Sequence, residues 1–190
     1  MLSVDDLYEK SKTSTKRTTT MTFRLDSNIL QKLYDKAEQD DISVNTLVNH
    51  ILKRYVEWDM LENKAGMVSL SRPVIKDLFQ RLSKEEVIEI GTKIAKDAVY
   101  DAALFMKGKI DPDSFISWFL SRMKNCSEIT STKENGVRTY ILKHDLGENW
   151  SLYHKTIVES IFTEVLQKPI HTSMTSSTLV FKFENNRYSI

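Results

Sequence analysis

Apolar and polar residues alternate through Thr20-Met21-Thr22-Phe23-Arg24-Leu25. In an extended chain this puts Met21, Phe23 and Leu25 on one face and Thr20, Thr22 and Arg24 on the other. The period then becomes helical. Asp26 or Ser27 caps a first helix whose apolar stripe is Ile29, Leu30, Leu33, Tyr34 and Ala37, and which ends in Glu38-Gln39-Asp40-Asp41. Ser43 caps a second helix with the stripe Val44, Leu47, Val48, Ile51, Leu52, Tyr55 and Trp58. A lone strand leaves its backbone groups unpaired, and no partner strand follows for about a hundred residues. One strand and two helices span about 40 residues, too few for a self-sufficient core. The expected remedy is a second copy: two strands pair as a ribbon, burying Met21, Phe23 and Leu25 and turning Thr20, Thr22 and Arg24 outward.

This strand and these two stripes, with Ser43-Val44-Asn45 opening the second helix, resemble the ribbon-helix-helix family of DNA-binding transcriptional regulators (the Arc, MetJ and CopG type) over residues 18–58. The resemblance implies an intertwined dimer whose ribbon lies in the DNA major groove. It implies base reading by Thr20, Thr22 and Arg24, and phosphate binding by Ser43, Val44 and Asn45. The chemistry suits these roles. Arg makes bidentate contacts to guanine, and a helix N-terminus offers free N–H groups to a phosphate. Thr20 and Thr22 are short, so specificity leans on Arg24 or on DNA shape.

The region from Met67 onward patterns differently. Met67–Leu70 is expected as a short strand. Ser71 and Pro73 start a helix to Arg81, and Ser83 with Glu86 forms a capping box. The helix opened there is expected to reach about Met106, with Val87, Ile90, Ile94, Ala98, Ala102 and Phe105 on one face. Asp111-Pro112 opens another, carrying Phe115, Ile116, Trp118, Phe119 and Met123. Asn135-Gly136 is a hairpin signal between segments 127–134 and 137–146. A helix over 150–167 follows, then a second hairpin (170–176 and 178–184) whose buried face is Leu179, Phe181 and Phe183. Helices, hairpin, helix, hairpin make an α+β domain with an antiparallel sheet covered by helices. The element order and the closing Thr178–Glu184 strand are similar to the V4R and TRAPP-type small-molecule-binding domains, although the cysteines and glycines of that family are largely missing. The expected organisation is a basic arm (1–17), a ribbon-helix-helix domain (18–61), a linker over 62–66 in which Gly66 breaks the helix, and an α+β oligomerisation or ligand-sensing domain (67–190).

Composition alters this picture little. The 190 residues are 41% hydrophobic and 28% charged, ordinary for a globular chain, and the net charge is only +1. Its distribution matters more. Lys10, Lys12, Lys16, Arg17 and Arg24 fall in a stretch without acids, beside the strand a groove would hold. Lys16 and Arg17 are expected to add phosphate contacts, unless the arm is simply a solvated terminus. No membrane span or leader pattern is read, and the single Cys126 cannot close an internal disulfide; a cytoplasmic setting is expected.

Candidate chemistry is sparse. His144, His154, His171 and Cys126 lack metal-ligand spacing. Asp111 and Asp113 flank a proline at a helix start and are explained by capping. No Gly-rich phosphate loop or nucleophile motif is present, so neither enzymatic activity nor a cofactor is expected. Trp118, Tyr140, Trp150 and Tyr153 should face one another, either as packed core or as an apolar effector pocket. The expected function is sequence-specific regulation of transcription, as by a repressor. The partners are double-stranded DNA, a second or further copies of the chain (a homodimer or a tetramer) and a small-molecule effector, with no membrane. Two alternatives stay open: the DNA-binding antitoxin of a toxin–antitoxin pair, and a scaffold that only dimerises.

Overall fold

The computed structural model describes residues 19–184. Among them are six helices: α1 (Ser27–Gln39), α2 (Val44–Arg54), α3 (Arg72–Gln80), α4 (Lys84–Ile94), α5 (Pro112–Met123) and α6 (Glu148–Ser160). Three run on through π-helical turns. α2 continues through Tyr55–Asp59 to Met60–Glu62, α4 through Ala95–Val99 to Tyr100–Lys107, and α6 through Ile161–Val165. Four strands, β1 (Glu128–Glu134), β2 (Val137–Lys143), β3 (His171–Met174) and β4 (Thr178–Glu184), form one open antiparallel sheet in the order β1-β2-β4-β3. The chain is therefore α+β. It divides into two compact units within α2, between Ile51 and Leu52.

In the smaller unit, the Asp26 side chain caps α1, accepting from the N–H groups of Asn28 (2.8 Å) and Ile29 (3.3 Å). Residues 19–26 take no regular secondary structure; the expected strand has no ladder partner in a single chain. Ala37 and Leu47 are the buried residues of this unit. The basic arm, with Lys16 and Arg17, lies outside the described residues.

The larger unit is built on its sheet. On one face Tyr140 pairs with Phe181 and Leu142 with Leu179, and these side chains, with Phe183, are buried. Phe115, Phe119 and Met123 of α5 and Ile157, Ile161 and Phe162 of α6 belong to the same core. The rings of Phe119 and Phe181 meet edge to face at 5.8 Å, and those of Phe162 and Phe183 lie 5.1 Å apart. Asn135 (φ 49°) and Gly136 (φ 81°) make the tight β1–β2 turn, both left-handed as a type I′ turn requires.

Three expectations need correction. Met67–Leu70 forms no strand, because no described strand lies beside it to share a ladder. The 62–66 segment is less a linker than a helix end. The Met67 N–H reaches back to the Glu62 carbonyl (3.0 Å) around Gly66, whose φ of +72° suits this closure. α4 buries a face other than the expected one. Val87, Gly91, Ala95, Val99 and Ala103 are buried, while Ile90 and Phe105 are exposed. Small side chains let α4 approach α6 closely: a Cβ on Gly91 would stand 3.0 Å from Thr156 Cβ and 3.3 Å from the Tyr153 carbonyl oxygen.

Candidate functional site

Two regions hold the residues singled out from the sequence. The first is the smaller unit. Thr20, Thr22 and Arg24 are exposed, and so are the apolar residues between them: Met21 by 73%, Phe23 by 55% and Leu25 by 47%. Ile29, Tyr34 and Ile51, on the helical stripes, are about half exposed as well. Ser43 caps α2 through its Oγ, which accepts the Thr46 N–H at 3.0 Å. Val44 and Asn45 follow as the first helical residues, and the first turn of α2 contains no acid. Their N–H groups point out of a helix end with a positive partial charge, which suits an anion.

The second region is a cavity of about 510 Å³ within the larger unit. Its walls come from the end of α2 (Trp58, Glu62), the 66–70 segment, α3 (Ile75, Phe79), the π-helical turn of α4 (Ala98, Val99), α5 (Trp118, Arg122) and α6 (Trp150, Tyr153). Trp118, Trp150 and Tyr153 are thus brought together as the sequence suggested. Tyr140 is not. It stacks on Phe181 (5.2 Å) and Phe183 (6.2 Å) over the sheet, because its position in β2 aims it at the core face. Trp58 was read as the last residue of the second helical stripe. It is buried here, its ring centroid 6.3 Å from that of Trp118. The π-helical turn at Tyr55–Asp59 accommodates an extra residue, so positions beyond it no longer continue the stripe of Leu47 and Ile51.

Polar groups are few here. Glu62 accepts the Trp58 Nε1–H at 2.7 Å. Arg122 is half-buried, its guanidinium carbon 5.8 Å from the Trp118 ring centroid. The Trp150 Nε1–H is buried without a partner. Burial pushes the Cys126 thiol above its ordinary pKa, so it stays protonated. His154, one turn beyond Trp150, is buried and held neutral, its pKa pushed down to about 3, first by burial and then by the charge of Arg122. His144 also titrates below its ordinary value, chiefly through burial; its Nε2 lies 2.8 Å from Ser151 Oγ. His171 is exposed on β3. Among the described residues no three His, Cys, Asp or Glu side chains are placed to hold a metal, and no helix is long and apolar enough to cross a membrane.

No family model matches the chain. Nor does any curated protein match it significantly. The functional reading therefore stands on the residues themselves. Arg122 escaped the sequence reading. It falls in the polar half of an amphipathic helix.

Proposed function

We propose that this protein is a homodimeric ribbon-helix-helix DNA-binding regulator of transcription whose larger unit binds a small-molecule effector. One observation carries the reading. Met21, Phe23 and Leu25 alternate with Thr20, Thr22 and Arg24 on a segment that has no ladder partner in one chain, and their apolar side chains stand in water. Pairing with the same segment of a second copy removes both liabilities at once: it completes the backbone hydrogen bonds and buries the apolar face. Thr20, Thr22 and Arg24 then point outward on a two-stranded ribbon of a width the major groove admits. Ser43, Val44 and Asn45 supply a helix N-terminus for a backbone phosphate. Lys16 and Arg17 precede the ribbon and add positive charge beside it.

The antitoxin reading is less economical. It needs a C-terminal region that folds on a toxin, whereas this one has a buried core of its own. The cavity supports the effector role. Its walls carry three indole rings, as a small apolar molecule requires.

The test is fluorescence anisotropy of the full chain on the DNA upstream of its own gene, across a salt series, with Arg24→Ala as the variant. Arg24→Ala should lose about 1–3 kcal/mol on a specific site. Equal binding by both proteins would remove Arg24 as a base reader. No binding by either, with the dimer intact, would leave a dimerising scaffold.

A further inference from the structure

All three tryptophans of the chain, Trp58, Trp118 and Trp150, line the cavity, with Tyr153 beside them. Such walls take a flat or flexible apolar body. The polar groups decide what else the occupant carries. The Glu62 carboxylate is engaged by the Trp58 indole N–H at 2.7 Å. Arg72 pairs with Asp145 at 3.5 Å. The Asn125 Oδ1 accepts from the Arg54 guanidinium at 3.2 Å. One charged group of the lining is left without a mate among the described residues. Arg122 has the Trp118 ring beneath it but no carboxylate.

We propose that the cavity binds a small apolar carboxylate, an aliphatic or aromatic acid whose body lies against the indoles and whose carboxylate pairs with Arg122. The proposal rests on the effector-site reading above and names the ligand's class. An alkylamine meets an uncompensated cation, so it is rejected on charge. An alcohol keeps the apolar contact and loses the charge-assisted bond. Only an anion answers the unpaired charge of Arg122. Consistent with this, the charge of Arg122 reaches inward: it opposes protonation of His154, second only to burial.

Because every tryptophan lines the cavity, intrinsic fluorescence reports on it alone. Octanoate, octan-1-ol and octylamine, equal in length, are titrated against the full chain. Octanoate should saturate the signal with an affinity about tenfold or more above that of octanol. Arg122→Met should bring octanoate down to the octanol level and leave octanol unchanged. Arg122→Lys should restore part of the difference. Octanol binding as tightly as octanoate, or octanoate binding unchanged in Arg122→Met, would overturn the carboxylate assignment while leaving the cavity a binding site. No saturable change with any of the three would overturn the effector-site reading with it. Anisotropy on DNA without ligand reads the regulator assignment separately.

Discussion

Trp150 and His154 lie one turn apart on α6 with ring centroids 4.1 Å apart, and each buries a polar atom without a partner. His154 Nδ1 donates to the Trp150 carbonyl at 3.0 Å. In the neutral ring Nε2 is then a bare acceptor, enclosed by Phe119, Trp150 and Tyr153. Protonating it means placing a charge among aromatic rings with Arg122 nearby.

Acid should therefore destabilise the larger unit through this residue. The folded pKa is about 3 against an ordinary 6.5. Above 6.5 both states are neutral and the stabilisation is complete. As pH falls from 6.5 toward 3, the unfolded chain takes a proton that the folded chain refuses. Stability drains at up to about 1.4 kcal/mol per pH unit. His154→Phe keeps a ring in place and removes an unsatisfied acceptor. It should match wild type within about 1 kcal/mol at pH 8 and lose less stability on acidification. Urea midpoints of both proteins from pH 8 to pH 4 check this; parallel curves would contradict it.

Gly91→Ala should destabilise, although alanine is the better helix former by about 1 kcal/mol. The added methyl meets Thr156 Cβ at 3.0 Å and the backbone oxygen of Tyr153 at 3.3 Å, and neither is the free end of a flexible side chain. Relief requires α4 to move off α6, at about 1–3 kcal/mol. Thermal unfolding checks the sign, and a stabilised variant would show that the two helices can part at little cost.

Asn149 ties α3 to α6. Its Nδ2 donates to the Phe79 and Leu82 carbonyls at 2.9 and 2.8 Å, at the end of α3 where carbonyls lack helical partners. The Phe79 ring packs edge-on against Trp150 and Tyr153, at 5.1 and 5.2 Å. Asn149→Ala should cost about 1–3 kcal/mol. It should also speed hydrogen exchange in α3 more than in β4, which separates local release from global loss.

Local signals were legible in the sequence wherever they concerned a chain segment and its neighbours a few residues away. The capping box at Ser83/Glu86 closes as its spacing requires, Asp111 caps α5, and Asn135-Gly136 turns the first hairpin. Leu179, Phe181 and Phe183 are buried because period two fixes which side chains share a face. Packing between helices was not legible. On α4 the sequence favoured the large residues Ile90 and Phe105, but the approach of α6 selects the face of Gly91 and Ala95, where small size matters more than apolar area. The π-helical turns leave no mark in the residue pattern. Three of the four aromatic residues expected to share a pocket line one cavity. The fourth, Tyr140, was misplaced because a strand residue and a helix residue can both face the core without meeting.

The most direct test of the paired ribbon is sedimentation velocity of the full chain and of Phe23→Asp, each with and without a fluorescent duplex from the upstream DNA. A carboxylate at position 23 places two like charges on the face that pairing would bury. Wild type should sediment at twice its 22.1 kDa mass and carry the duplex. Phe23→Asp should sediment as a monomer with its larger unit still folded, and should leave the duplex free. A Phe23→Asp protein that remains a dimer and still carries the duplex would contradict the account.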